Sequence, residues 1–282
     1  MKSNYEMEKK PTVLSIVALG LFLICYSPAL QRLVDIWASS DEYNHAFLVV
    51  PIIFFISWTK RGELVENSGR HCNAGLILAI FSSLFYLFAL LTDVNTLIFA
   101  SMLITIVGTI VYLAGYEAIG ILLTPILLLV LLIPIPNQLY IQLTAPLKML
   151  VSQISEIVVR FFDVPIFRQG NIMNVPGKTF EVVEACSGLR SMITLLSLSV
   201  LVGYFMLSRK MSKTILVVIS IPIAVFVNII RVTSMILLFH FFNLDFSEGA
   251  LHTVLGMSIF ILALMVLFFF QKGLWFWEAK SK

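Results

Sequence analysis

Long apolar runs divide the chain into eight segments that resemble membrane-spanning helices. They cover about residues 12–29, 46–59, 74–92, 95–114, 117–135, 187–207, 214–240 and 251–271. Most of them reach the roughly 17–25 residues that a helix needs to cross a bilayer core. The run at 46–59 is shorter and contains Pro51. The pattern predicts an all-α polytopic membrane protein with about eight transmembrane helices.

One long stretch with more polar residues, about 136–185, separates the fifth run from the sixth. Residues 140–162 space their apolar side chains helically, which predicts an amphipathic helix on the membrane surface. Residues 171–175 and 179–183 flank Pro176 and Gly177, and this predicts a short β-hairpin. We expect a single domain over residues 1–282, with this stretch as its one long loop.

The composition supports a membrane protein and excludes several other classes. Hydrophobic residues make up 59% of the chain and charged residues 12%, whereas soluble proteins carry roughly 25% charged residues. A net charge of +3 is too small to indicate a nucleic-acid partner. Three widely spaced cysteines form neither a disulfide framework nor a metal-binding motif. No cofactor is therefore expected.

Basic residues predict the orientation of the chain. Four clusters fall on one side of an eight-span arrangement: Lys2, Lys9, Lys10; Lys60, Arg61, Arg70; Arg209, Lys210, Lys213; Lys272, Lys280, Lys282. Short loops rich in lysine and arginine remain cytoplasmic. We therefore expect both termini in the cytoplasm and residues 136–185 on the outer side.

Cys186 is the first candidate for chemistry. It comes just before or within the first turn of the predicted helix at 187–207, with Arg190 four residues later. A helix N-terminus and a nearby cation both favour the thiolate. The alternative is a small buried apolar residue, which is the usual role of a free cysteine and the one expected for Cys25 and Cys72.

Polar residues in the last two spans are the other candidates. Arg231 lies in the outer half of its span, with Asn228 three residues earlier on the same helix face. His252 begins the last span at the outer end. Arg231 could instead snorkel to the outer interface, and His252 could be an interfacial residue. The predicted topology nevertheless brings Cys186, Arg231 and His252 to one side and one depth.

These three side chains would support acyl transfer. A thiolate attacks a peptide carbonyl, an imidazole transfers the proton, and a guanidinium stabilises the oxyanion. Arg231 cannot serve as the base because its guanidinium stays protonated. His240 is a rival for the imidazole, but it lies off the helix face of Arg231, so His252 is preferred.

Together these motifs resemble the exosortase/archaeosortase family. The similarity rests on EACSGLR at 184–190, on Asn228 followed by Arg231, and on His252 at the start of the last span. The stretch YNHAFLVVP at 43–51 also resembles a family signature, in which glycine is usual where Ala46 stands. The resemblance covers about residues 41–271.

The resemblance implies a membrane cysteine protease and transpeptidase. Cys186 would be the nucleophile, Arg231 the oxyanion stabiliser and His252 the acid/base. Its substrates would be exported, membrane-anchored proteins with a C-terminal sorting signal of Pro-Glu-Pro type, passed to an unknown cell-surface acceptor. The Gram-negative branch, located in the inner membrane, is associated with exopolysaccharide production. We expect six further residues to support catalysis or bind substrate: Glu184, Ser187, Arg190, Asn228, Tyr43 and His45.

Three other functions remain open at this stage. Arg231 and Asn228 could be substrate ligands of a small-solute transporter, although the charged residues cluster at one face rather than at the midplane. The chain could be a non-catalytic component of exopolysaccharide export. Cys186, His240 and His252 could bind zinc, although no local ligand spacing supports this.

Overall fold

A computed structural model of the chain describes residues 13–40, 42–67, 72–182, 189–247 and 249–280. The described residues are mostly helical and form twelve α-helices and one three-stranded antiparallel sheet. The chain divides into two compact units, Met1–Asn44 with Arg61–Gly120, and His45–Lys60 with Ile121–Lys282. The candidate residues Arg231 and His252 both belong to the second unit.

The first unit contains five helices: α1 Val13–Cys25, α2 Ser27–Ser39, α4 Arg61–Asn67, α5 Asn73–Thr92 and α6 Asn95–Ala114. Its centre is the pair α5 and α6, which approach closely because Gly75 has no side chain. A Cβ atom at this position would lie 2.3 Å from the backbone nitrogen of Tyr112. Small residues permit the same close approach between membrane helices in general.

The second unit contains α3 Ala46–Thr59, α8 Leu123–Leu131, α9 Asn137–Phe161, α10 Leu189–Met206, α11 Lys210–Phe242 and α12 Gly249–Lys280. Its strands are β1 Phe167–Gln169, β2 Ile172–Val175 and β3 Lys178–Glu181. The short helix α7, Glu117–Ile121, has its last residue in the second unit and the others in the first. Helix α11 packs against α9, α10 and α12 and is the central element of this unit.

The prediction of eight continuous spans is not confirmed. Among the described residues, five helices are long and apolar enough to cross a membrane: α5, α6, α10, α11 and α12. A sixth span is possible if α1 and α2, which are bent by 62°, cross together. The run at 46–59 forms α3, whose 14 residues extend about 21 Å, less than the roughly 30 Å bilayer core.

Proline explains where two of the predicted spans break. A proline ring clashes with the carbonyl four residues earlier and bends or breaks the helix there. Pro125 stands four residues after Ile121, at which α7 ends, so the run at 117–135 becomes α7 and α8. Pro28 has the same relation to Ile24, and the Ser27 hydroxyl donates to the Ile24 carbonyl at 2.8 Å. The apolar pattern was continuous at both places, but the helix is interrupted there.

The segment after residue 136 contains a long helix and a sheet. Helix α9 corresponds to the predicted amphipathic helix, and β2 and β3 correspond to the predicted hairpin. Val175 pairs with Lys178 across the turn, and Gly177 has a φ of +87°. Such a φ is required after proline in a type II turn and suits glycine. Strand β1, which pairs with β2, was not predicted.

Helix α9 lies across one end of the α10–α11 pair. Near its start, Tyr140 packs with Leu189 and Ile193, at the beginning of α10. Farther along, Val151 and Val159 share a buried cluster with Val232 and Ile236 of α11 and with six residues from the sheet and its flanks: Val164, Ile166, Met173, Val175, Phe180 and Val182. Because three residues join α10 to α11, the two helices are antiparallel, and these contacts lie at the same end. We call α9 and the sheet the cap.

Candidate active site

Two side chains beneath the cap form the centre of the candidate site. Arg231 lies on α11, one residue before Val232 of the cap cluster, and His252 lies in the first turn of α12. The Nη2 atom of Arg231 is 2.7 Å from Nε2 of His252. Residues 243–247 follow α11, and α12 begins at Gly249.

The hydrogen-bonding partners of His252 define its tautomer. A guanidinium group only donates, so Nε2 of His252 accepts the hydrogen bond from Arg231. The other ring nitrogen, Nδ1, lies 3.1 Å from the carbonyl oxygen of Phe246 and donates to it. In this arrangement His252 is a neutral imidazole whose proton is on Nδ1 and whose Nε2 lone pair faces Arg231.

A narrow cavity lies beside the guanidinium of Arg231. About 30 Å³ of it is open to water-sized molecules, which is room for one or two waters. Its polar lining consists of Arg231, Asn228 and Ser191, and Asn228 is buried. The remaining lining is apolar, from α10, α11 and α12. The cavity is too small for a peptide, so a substrate carbonyl must reach Arg231 from outside it.

Gly256 lies beside the guanidinium, where a side chain longer than a methyl group would meet it. It lies one helical turn after His252, and a Cβ atom at this position would be 3.5 Å from Nη2 of Arg231. The Nε atom of Arg231 is buried and has no hydrogen-bond partner among the described residues. A buried donor without a partner is costly and stands ready for an incoming acceptor.

The family of the chain follows from comparison with known proteins. A family model described as transmembrane exosortase matches residues 37–269. The chain belongs to the transmembrane exosortase family. This match and the apolar helices establish it as a membrane protein. Searches of curated proteins and of solved structures gave no match.

Three predicted residues of the exosortase lie outside the described residues: Cys186, Glu184 and Ser187. On one side of them, the last described residue is Val182, which is buried in the cluster that α9 and the sheet form with α11. On the other side, the next described residue is Leu189, which begins α10. Arg190 is half-buried in the first turn of α10. The predicted pairing of Arg190 with Cys186 on one helix face therefore stays a prediction.

The structure brings Arg231, His252 and Asn228 together. His45 stands at the N-cap position of α3, and Tyr43 is buried; neither lines the cavity. His240 lies on the last turns of α11 with its ring against Phe241. Among the described residues no three potential ligands cluster around a metal site. The zinc alternative also requires Cys186, which lies outside them.

Sequence reasoning missed Gly256, Ser191 and the Phe246 carbonyl. The spacing of Gly256 four residues after His252 was visible, since it places a small residue on the same face of the helix. The Phe246 carbonyl carries no side-chain signal at all. Ser191 follows the motif at 184–190 directly, but its role depends on how α10 packs against α11.

Proposed function

We propose that this exosortase is a membrane-embedded cysteine transpeptidase that forms a thioacyl intermediate at Cys186. The observation that carries the proposal is the 2.7 Å contact between Arg231 and His252. An oxyanion donor and a neutral imidazole then lie side by side at the membrane end from which α10 begins. These are two of the three groups that acyl transfer to a thiol requires.

Both flanks of Cys186 support its place in this site. Ser191 lines the cavity beside Arg231, and Cys186 precedes it by five residues. A chain extends at most about 3.6 Å per residue, so the two Cα atoms are within about 18 Å of each other. On the other flank, Val182 packs into the same cluster as Val232, the neighbour of Arg231. The cysteine segment is therefore tethered to the site at both ends.

The resting hydrogen bond imposes an order on the reaction. Nε2 of His252 cannot accept a proton from the Cys186 thiol while it accepts from Arg231. When a substrate carbonyl arrives, the guanidinium turns its N–H groups toward the carbonyl oxygen and releases Nε2. The thiol proton then moves to Nε2, and the sulfur attacks the carbonyl carbon to form an oxyanion that Arg231 stabilises.

The collapse of the oxyanion completes the first half of the reaction. The C–N bond breaks, the leaving amine takes the proton from Nε2, and the substrate remains as a thioester on Cys186. An acceptor nucleophile then gives a proton to Nε2, attacks the thioester carbonyl and releases the thiolate, which recovers that proton. Water in place of the acceptor would make the enzyme a protease.

The substrates under this proposal are exported proteins anchored by a C-terminal sorting signal of Pro-Glu-Pro type. Their membrane helix would reach the enzyme by lateral diffusion. The scissile bond, near the end of that helix, would then lie at the depth of Arg231. The site would face the outer side of the inner membrane, with both termini in the cytoplasm. The acceptor would be a cell-surface molecule, in keeping with the association of the Gram-negative branch with exopolysaccharide.

The test is co-expression with a tagged protein that ends in such a sorting signal. We expect a mobility shift of the tagged protein with the unaltered exosortase and none with Cys186→Ala at equal membrane abundance. Cys25→Ala is the matched control, because this exposed cysteine lies in the other compact unit and should leave processing intact. Processing by Cys186→Ala would refute the nucleophile, and no processing by the unaltered exosortase would favour the transporter and export-component alternatives.

A further inference from the structure

The turn of the β2–β3 hairpin is joined to the loop between α11 and α12 by an ion pair. Nζ of Lys178, the first residue of β3, donates to Oδ2 of Asp245 and to Oγ of Ser247 at 2.7 Å. These residues are 67 and 69 positions apart in the chain. The contact therefore links the cap to the segment that carries His252.

Asp245 also organises its own loop. Its Oδ1 accepts from the backbone nitrogen of Ser247 at 2.9 Å and from the Ser247 hydroxyl at 2.6 Å. Both carboxylate oxygens are thus occupied, one by Lys178 and the other by Ser247. The hydrogen bond from Lys178, followed by those from Ser247, lowers the pKa of Asp245 from 3.8 to about 2. The carboxylate stays ionised at any physiological pH.

Lys178 is itself held in place by aromatic rings. Its Nζ lies 5.3 Å from the ring centre of Phe180 and 5.5 Å from that of Phe239, the latter on α11. The two rings meet edge to face at 5.6 Å. Cation–π contacts of this kind fix an ammonium group that otherwise moves freely on its stem.

The loop residue between Asp245 and Ser247 is Phe246, whose carbonyl accepts from Nδ1 of His252. The hydrogen bonds around Asp245 fix the backbone on both sides of this carbonyl. The carbonyl in turn keeps the imidazole proton on Nδ1 and leaves Nε2 directed at Arg231. A continuous set of contacts thus runs from the hairpin to the imidazole.

We propose that Lys178 and Asp245 are positioning residues that set the tautomer and orientation of His252 through the Phe246 carbonyl. The effect of this pair on turnover rests on the proposed acid/base function of His252, whereas its effect on the tautomer does not. Partners that orient metal-binding histidines are typically worth about 10–100-fold in metal affinity or activity, and we expect an effect at the lower end of this range for His252. Without the pair, the loop moves and the proton redistributes between Nδ1 and Nε2.

The experiment compares variants that break the ion pair with one that preserves it. Lys178→Met keeps an unbranched apolar stem against Phe180 and Phe239 and removes the charge. Asp245→Asn is a second break at the other partner, and Lys178→Arg retains a cationic donor. Arg168→Met is the matched control, because Arg168 is in the same sheet but pairs with Glu156 of α9.

The first readout is the ¹⁵N spectrum of the imidazoles in detergent, which distinguishes the two tautomers without any substrate. The chain has four histidines, and the signal of His252 is identified by its loss in His252→Gln. We expect the Nδ1–H form in the unaltered protein, in Lys178→Arg and in Arg168→Met. Lys178→Met and Asp245→Asn should show a mixture of tautomers. An unchanged spectrum in both breaking variants would overturn the proposal.

The second readout is processing of the tagged substrate. We expect turnover to fall by about tenfold in both breaking variants and to be preserved in Lys178→Arg at equal membrane abundance. A changed tautomer with normal turnover would overturn the catalytic role of His252 and support the positioning of its imidazole by the pair. A changed tautomer with reduced turnover supports both. The spectrum therefore tests the ion pair separately from the proposed function.

Discussion

At the scale of single residues, the pair Arg231 and His252 carries most of the chemistry that the structure describes. The guanidinium was open to two interpretations in the sequence, an oxyanion donor or a charge that snorkels to the interface. In the structure it is directed at an imidazole and lines a buried cavity with Asn228. This geometry favours the first interpretation, because a snorkelling side chain would leave both contacts for water.

Replacement of Arg231 by lysine separates charge from hydrogen-bond geometry. Lysine keeps the positive charge but loses the planar fork. We expect turnover of the tagged substrate to fall about a hundred- to a thousand-fold, the usual effect of losing one oxyanion donor. Alkylation of Cys186 by an alkyl iodide substrate mimic, which builds no oxyanion, should persist. Near-normal turnover in Arg231→Lys would rule out the oxyanion role, and lost alkylation would indicate thiolate activation instead.

Gly256 offers a test of the space around the guanidinium. We expect Gly256→Leu to displace Arg231 and to reduce turnover by about a hundred-fold, as displacements of about 1 Å do. The matched control is Gly273→Leu, because Gly273 is on the same helix and has no atoms near the position of a Cβ. At both positions leucine has a higher helix propensity than glycine, so neither substitution should weaken the helix itself. Equal turnover in the two variants would show that Arg231 is not constrained by Gly256.

At the scale of elements, the two longest helices are joined at the end opposite the cap. Glu278, near the end of α12, is 4% exposed. Its two carboxylate oxygens accept from the backbone nitrogens of Ser208 and Arg209 at 3.0 and 2.9 Å, just before α11 begins. The first backbone N–H groups of a helix have no partners within it. The carboxylate therefore caps α11 from the neighbouring helix.

The contact of Glu278 with the start of α11 should affect stability but not catalysis. In Glu278→Gln one carboxylate oxygen, an acceptor, is replaced by an NH₂ group, a donor. This group would face a backbone N–H of Ser208 or Arg209, which is also a donor. We therefore expect the free energy of unfolding to fall by about 1–3 kcal/mol. The measurement is unfolding of the protein in detergent, with Glu66→Gln, an exposed carboxylate of α4, as the control. Equal stability of the two variants would mean that water serves Ser208 and Arg209 as well as Glu278 does.

Elements whose cause is local could be predicted from sequence, and long-range contacts could not. The helical spacing of residues 140–162 and the turn at Pro176 and Gly177 indicated α9 and the hairpin. The breaks at Pro28 and Pro125 were equally local, but the length of the apolar run concealed them. The contact of Lys178 with Asp245 joins residues 67 positions apart, and no pattern along one element contains that information. Strand β1 was missed because its three residues are too few for a period to emerge.

At the scale of the whole molecule, the side on which the site lies depends on two short segments. If α3 and the broken pair α7 and α8 both cross the bilayer, or neither does, an odd number of spans precedes α9 when α1 and α2 cross as one. The site then lies opposite the N-terminus. If only one of them crosses, the site lies on the same side. The basic residues at 60–70 favour a crossing by α3, because they would otherwise lie on the outer side. Once α3 crosses, the basic residues at 209–213 favour a crossing by α7 and α8 for the same reason.

Labelling with a membrane-impermeant maleimide tests this orientation. The hydrogen bond from Tyr116 lowers the pKa of Cys72, which favours its labelling, so Cys72 must first be replaced by serine, together with Cys25. In intact spheroplasts we expect Cys186 to react. Ser208→Cys, an exposed position between α10 and α11, should remain unlabelled in a chain that lacks the native cysteines. Labelling of the Ser208 position alone would invert the predicted topology.

The central claim is that Cys186 carries the substrate as a thioester, and the most direct measurement is isolation of that adduct. The tagged substrate is incubated with the purified exosortase without an acceptor, quenched in acid, digested and analysed by mass spectrometry. We expect a substrate fragment attached to the peptide containing Cys186, released by hydroxylamine and absent from Cys186→Ala. Processing that continues in Cys186→Ala, with no adduct on the unaltered enzyme, would contradict it.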